Sequence, residues 1–358
     1  MQKKHNFSAG PSILPAEVIQ QAAEALLNFN QTGLSLIEVS HRGKDFVAVM
    51  EKARSLVKEL LQLNDDYEVL FLQGGASLGF LKVPMNFMKV NNGNAGYIET
   101  GVWAQNAIKE AQLFGKVNII ASSKDRNFSY VPENYTIPED LDYLHITSNN
   151  TIYGTQMQSF PQSPVPLICD MSSDIFSRVF NAQDFAMIYA GAQKNMGPAG
   201  TTLYIVNKNF LGKTGRQIPT MLDLSVHIKK DSMFNTPPVF AVYTSMLTLE
   251  WLKKIGGVAA IEKINREKAR ILYEEIDRNS LFKGLAEPNS RSIMNVTFIL
   301  TRPQLEDEFN RLWQEAGIVG LKGHRVLGGY RASIYNAMPI ESVKVLIEVM
   351  QHFEKIKG

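Results

Sequence analysis

The chain has 358 residues, enough for two domains, with 45% hydrophobic and 20% charged residues, the proportions of a globular enzyme. A net charge of +2 provides no field for gathering nucleic acid or an anionic membrane surface, and the single cysteine, Cys169, excludes an intramolecular disulfide and a cysteine-rich zinc centre. No apolar run approaches the ~20 residues that cross a bilayer, and Met1–Asn6 leads into Phe7-Ser8-Ala9-Gly10-Pro11 without the apolar core of a signal peptide, so the expected location is cytoplasmic.

Residues 1–14 read as extended and turn-rich, because Gly10-Pro11 and Leu14-Pro15 disfavour helix at the residue before each proline. Pro15 opens a helix whose apolar face is Val18, Ala22, Ala25, Leu26 and Phe29, and Gly33 stops it. A polar, basic loop, Ile37 to Lys44, precedes a helix over 45–62. From Tyr67 onward strands and helices alternate. Strands are predicted at 69–72, 97–100, 117–121, 143–147, 165–170, 185–190 and 202–206, with helices at about 78–85 and 104–112. That rhythm points to an α/β fold with a mainly parallel sheet covered by helices. Residues 207–240 read as loop-rich. A helix over 240–255 is broken at Gly256-Gly257, and a second one spans 258–278. A strand at 293–299, a helix around 303–316, a strand at 331–335 and a final helix carrying Val343, Leu346, Ile347, Met350 and Phe353 make a compact α+β unit. The expected division is an N-terminal segment, 1–15, packing with the small domain; a large domain, 16–257; and a small C-terminal domain, 258–358.

In a mainly parallel sheet the ligand lies beyond the carboxyl ends of the strands. Several unusual residues fall there. Gly74-Gly75-Ala76-Ser77 follows a strand and opens a helix, a place where backbone N–H groups bind an anion or where the glycines merely make a tight turn. It lacks the spacing of a dinucleotide fingerprint and the lysine of a P-loop. Asp170 closes an apolar strand, either as a helix cap or as a charge held for a cation. Trp103 is core or a flat platform for a ring. Lys194 sits between two core strands, flanked by small residues; it is either solvated or a desolvated nucleophile toward a carbonyl. Taken together, a lysine, a carboxylate for a pyridinium nitrogen, an aromatic face and a phosphate cradle are the parts that pyridoxal 5′-phosphate (PLP) calls for.

The motifs Asn6-Phe7-Ser8-Ala9-Gly10-Pro11, Val39-Ser40-His41-Arg42-Gly43-Lys44, Tyr189-Ala190-Gly191-Ala192-Gln193-Lys194-Asn195, Ser232-Met233-Phe234-Asn235-Thr236-Pro237-Pro238, Lys322-Gly323-His324-Arg325 and Arg331-Ala332-Ser333-Ile334-Tyr335-Asn336-Ala337 resemble the phosphoserine aminotransferases of class V, from residue 6 to the last helix. The resemblance implies the PLP-dependent transferase fold of type I, aspartate-aminotransferase-like, and a homodimer. It places the cofactor lysine at Lys194, the pyridinium partner at Asp170, the stacking ring at Trp103 and a ring-oxygen contact at Thr151. The phosphate grip falls on Ala76, Ser77 and Gln193, with Asn235 and Thr236 reaching in from the other subunit. Arg331 would take the substrate α-carboxylate, and His41, Arg42, His324 and Arg325 would surround the phosphate or the side-chain carboxylate of glutamate. Some members have arginine where this chain has Ser77, so the division of phosphate recognition among those basic groups stays open.

The implied reaction transfers the amino group of L-glutamate to 3-phosphohydroxypyruvate, giving O-phospho-L-serine and 2-oxoglutarate, in serine biosynthesis. The family also aminates a phosphorylated hydroxy-oxobutanoate in pyridoxine biosynthesis. Lys194 would move a proton between Cα and C4′ while Asp170 keeps the ring nitrogen protonated. No metal is expected. Three rivals are weighed: a cysteine desulfurase, which fails because Cys169 lies inside a predicted buried strand; an alanine–glyoxylate type aminotransferase, against which the pairs His41-Arg42 and His324-Arg325 argue; and a non-catalytic binding module, disfavoured by the presence of both Lys194 and Asp170.

Overall fold

A computed structural model describes residues 4–358; the first three residues of the expected N-terminal segment lie outside them. The centre is a seven-stranded sheet of β1 (Tyr67–Leu72), β2 (Asn94–Glu99), β3 (Lys116–Ser122), β4 (Tyr143–Thr147), β5 (Leu167–Asp170), β6 (Met187–Gly191) and β7 (Thr202–Asn207). Their spatial order is β1-β7-β6-β5-β4-β2-β3. Neighbours pair in parallel from β6 to β3. β7 alone runs backwards, antiparallel to both β1 and β6.

The strands read as near-continuous apolar runs because both faces of the sheet are covered. Alternation along each strand divides its side chains between two cores. Val69, Phe71, Ile146, Cys169, Ile188, Ala190, Leu203 and Ile205 enter one, with residues of α1 (Ala16–Leu27), α2 (Lys44–Leu60) and, in part, a later helix, Val239–Lys254. Leu70, Leu72, Tyr97, Tyr143, Ile168, Tyr189 and Tyr204 enter the other, against α3 (Gly75–Phe87) and α4 (Val102–Ala111). Cys169 is fully buried.

The region 207–240 is not all loop: it contains α5 (Leu224–Lys229), capped by Asp223 and burying Leu224. A six-residue helix leaves too few turns for a periodic pattern to emerge. Then come α6 (Val239–Lys254) and α7 (Gly257–Arg278). The C-terminal part is an antiparallel sheet of β8 (Phe282–Gly284), β9 (Asn295–Leu300) and β10 (Tyr330–Ser333), covered by α7, α8 (Glu306–Glu315) and α9 (Ile340–Lys357). Its core holds Phe282, Phe298, Phe309, Tyr330 and Phe353, and it also buries Phe7 and Ile13 of the N-terminal segment. His5–Asn6 pairs in parallel with Ile318–Val319. Among the described residues no helix is long and apolar enough to cross a membrane.

Candidate active site

Every parallel strand ends on the same edge of the sheet, and a cavity of about 370 Å³ opens there. β1 delivers Gly75, Ala76 and Ser77; β2 delivers Trp103; β4 delivers Thr147, Asn149 and Thr151; β5 delivers Asp170; β6 delivers Gln193 and Lys194. Arg331 closes it from the C-terminal sheet, His324 from the loop that leads into that strand, and Ala9 and Gly10 from the N-terminal segment. A larger cleft, about 700 Å³, runs between Leu60, Phe180 and Gly257, and none of these groups lines it.

At one end of the cavity α3 begins. Its first helical bond runs from Leu78 N–H to the Gly74 carbonyl, so the amides of Gly75, Ala76 and Ser77 precede the ladder, beside the positive end of the helix dipole. Gly74 preceding them has φ +106°, a left-handed turn that only glycine takes without strain. The helix starts three residues earlier than its apolar pattern indicates, because its first turn faces the cavity instead of the core.

Asp170 is the last residue of β5 and almost fully buried. Oδ1 accepts the Ser172 N–H at 2.9 Å. Burial pushes its carboxyl above the usual range, while the Ser172 bond and the nearby Lys194 pull it back. A carboxylate in so dry a place calls for a cation.

Lys194 stands half-buried in the loop between β6 and β7. Burial pushes its amine down from 10.5 to about 8; Asp170 opposes the shift and Arg331 adds to it. Near neutral pH such an amine is partly free to act as a nucleophile and a base. Its Nζ lies 5.7 Å from the centre of the Trp103 ring. Trp103 is fixed in turn: its indole N–H donates to Thr151 Oγ1 at 3.2 Å. Thr151 sits between the two arms of a short hairpin, Asn149–Asn150 with Thr155–Gln156, which the strand pattern did not reveal because it is polar and only two residues long on each arm.

Arg331 on β10 points into the cavity. Nη1 donates to the Thr151 carbonyl at 3.2 Å, whereas its buried Nε has no partner. Burial lowers its pKa, and no ion pair with a carboxylate is formed among the described residues. Beside it His324 is pushed below its ordinary range by burial and by the charges of Arg331 and Arg325.

Of the residues singled out in the sequence, Ala76, Ser77, Trp103, Thr151, Asp170, Gln193, Lys194, His324 and Arg331 therefore share one cavity. His41, Arg42, Arg325, Asn235 and Thr236 do not line it. Arg42, Arg325, Asn235 and Thr236 are exposed. The loop of Thr236 is nevertheless close to the end of β1, since Gln73 Nε2 donates to the Thr236 carbonyl at 2.6 Å. Sequence reasoning missed Ala9, Gly10, Thr147, Asn149, Ile152, Ser172 and Ser173, mostly small or polar residues of the cavity wall. Their signal was weak but present: Ser172 and Ser173 follow the strand that ends in Asp170, and Thr147 and Asn149 lie between the end of β4 and Thr151.

A family model described as Aminotransferase class-V matches residues 4–346. The chain is 62% identical to the phosphoserine aminotransferase of Flavobacterium psychrophilum over 98% of this chain and 99% of that one. Among solved structures it resembles phosphoserine aminotransferase from Bacillus circulans subsp. alkalophilus, with 43% identity, full coverage of both chains and a TM-score of 0.96. It also resembles PLP-bound phosphoserine aminotransferase from Trichomonas vaginalis, at 35% identity and a TM-score of 0.92, over 98% of this chain and all of that one.

Proposed function

The chain belongs to the class-V aminotransferase family, and on that premise we propose that it is a PLP-dependent phosphoserine aminotransferase, moving the amino group of L-glutamate to 3-phosphohydroxypyruvate. The products are O-phospho-L-serine and 2-oxoglutarate. The observation that supports this most is the meeting of Lys194 and Asp170 with an unused helix N-terminus in one cavity. Those residues fit PLP chemically: free amides for its phosphate, a buried carboxylate for its pyridinium, an amine of lowered pKa for its aldehyde and a flat indole for its ring.

When bound, PLP supplies an electron sink for the carbanion formed at the substrate Cα. The chain's own groups do the rest. Asp170 holds a proton on the ring nitrogen by pairing with it, which relieves the cost of its own burial. Trp103, anchored on Thr151, would offer its flat face to the ring. Arg331 offers Nε and its remaining donors to the α-carboxylate. Lys194, uncharged for part of the time near pH 8, carries a proton between Cα and C4′. Ser77 and the amides of the first turn of α3 take the phosphate of the cofactor.

We further infer a homodimer in which Asn235, Thr236, His41 and Arg42 serve the site of the other subunit; the support is that the first two are exposed beside a site they do not enter. The domain division 1–15, 16–257 and 258–358 is retained as part of this reading. It is supported by the burial of Phe7 and Ile13 in the C-terminal core, although Val258 and Ile261 still pack on the large core. The pyridoxine-pathway substrate, a phosphorylated hydroxy-oxobutanoate, has the same anionic ends and is proposed as a second acceptor. A coupled assay with glutamate tests the whole reading: 3-phosphohydroxypyruvate is expected to react far faster than hydroxypyruvate, and equal rates would overturn phosphate recognition.

A further inference from the structure

We propose that Asn195 is a positioning residue for catalysis, its carboxamide being the node that ties together the segments carrying Lys194, Asp170 and Arg331. The proposal rests on the reading of Lys194 as the catalytic lysine. Asn195 follows that lysine directly and is buried. Its Nδ2 donates to the carbonyls of Ser173, at 3.3 Å, and Ile175, at 3.2 Å, in the turn that follows Asp170. Its Oδ1 accepts the backbone N–H of Asn336, at 3.0 Å, in the turn that follows the strand of Arg331. One planar group thus bonds to all three segments at once, beside the sheet pairing of β5 with β6 and the bond from Asn336 to the Phe176 carbonyl.

The turn at 335–336 is itself held stiffly. Lys268 is fully buried, and its ammonium donates to the carbonyls of Ile334, Tyr335 and Met338 at 2.9, 2.7 and 3.2 Å. The Asn336 side chain donates to the Phe176 carbonyl and accepts from Asn265, at 3.0 and 2.8 Å. Tyr335 Oη donates to the Ala9 carbonyl at 2.7 Å, and the next residue, Gly10, faces the stem of Lys194, where a Cβ would lie 3.4 Å from Lys194 Cγ. One turn of the C-terminal domain therefore reaches both sides of Lys194: it bonds to Asn195 next to its backbone, and through Ala9 it holds the segment that faces its side chain. Displacing a reacting group by about 1 Å costs on the order of 100-fold in rate, so a node of this kind acts on turnover more than on binding.

Two variants test it, Asn195→Ala, and Asn336→Ala as a milder one that leaves Asn195 in place and is retained if the first does not fold. In the cofactor-loaded enzyme, kcat is expected to fall at least 10-fold for Asn195→Ala and by less for Asn336→Ala, with the KM for glutamate changed no more than 3-fold. In the full-length chain freed of cofactor, the pH midpoint for acylation of Lys194, read by peptide mass, is expected to rise by at least half a unit, because a loosened loop admits water to the amine. A folded variant with kcat within 2-fold and an unmoved midpoint would overturn the proposal. A loss of melting temperature with both readouts unmoved would overturn it too, since that is what a purely structural asparagine does. The midpoint does not depend on turnover; failure of the underlying reading is seen separately, as activity that survives in Lys194→Ala.

Discussion

Arg331 donates through Nη1 to the main-chain carbonyl of Thr151, 3.2 Å away, so the C-terminal sheet reaches over the cavity and touches the hairpin that holds Trp103. One edge of the guanidinium is spent on that contact. The buried, unpartnered Nε remains on another.

The first prediction follows from that geometry. Arg331→Lys keeps the charge but loses the planar fork, so kcat/KM for glutamate is expected to fall about 10- to 100-fold, mostly through KM. Arg331→Ala should lose about 2–4 kcal/mol of transition-state binding. Steady-state kinetics at varied glutamate measure both. A lysine variant with unchanged KM would show that the carboxylate binds elsewhere.

Asp170→Asn should separate catalysis from stability. The carboxylate is buried beside Lys194, bonded by the amide and the side chain of Ser172, and burial raises its pKa. An amide of the same shape carries no such penalty, so the cofactor-free protein is expected to melt no lower, and even higher, than the original. Turnover should nevertheless fall by roughly 100-fold or more, because an amide does not keep a ring nitrogen protonated. Melting curves and kcat on the same preparations decide it.

The pH dependence of stability carries the signature of Lys194. Its pKa is about 8 when folded against 10.5 ordinarily. Between those two values the unfolded chain holds a proton that the folded chain has released, so raising the pH through this window favours the folded state. Below about pH 8 both states are protonated and the cost of burying the ammonium is present in full. Cofactor-free Lys194→Met removes that cost; its advantage in melting temperature over the original protein is expected at pH 7 and should shrink by pH 10. A gap that widened with pH would contradict the assignment.

Gly79→Ala probes the seat of α3. A methyl group there would come within 2.7 Å of the Tyr189 ring, on the strand just before the lysine loop. Overpacking of this sort costs about 1–3 kcal/mol. The helix would also be levered off the sheet at the end that holds the cavity's free amides, so PLP affinity should fall together with the melting temperature. Titration of the cofactor-free variant with PLP measures this.

Much of the sheet was legible because strands buried on both faces are written as apolar runs such as Val69-Leu70-Phe71-Leu72, and the rule that ligands sit beyond strand ends then selected Asp170, Trp103 and Lys194. What was not legible is non-local or short. Nothing near His5–Asn6 announces a partner at Ile318–Val319, and both paired arms of the hairpin around Thr151 are polar. Ala9 and Gly10 look like a plain turn until the fold sets them against Lys194. The two His-Arg pairs read alike in sequence, yet His324 borders the cavity while His41 and Arg42 do not, a distinction that depends on where loops far apart in the chain are brought.

The reversed strand β7 gives the lysine loop an additional property. Gly191 and Thr202 are direct register partners, so the loop leaves and re-enters the sheet about 4.8 Å apart, one strand spacing. It is a handle with both feet on one rail. The sheet consequently sets both ends of residues 192–201, while the interior of the loop is tied down by the Asn195 bonds and the buried Met196. The cradle at Gly75–Ser77 is fixed by the sheet at one end only, since its other end continues into α3.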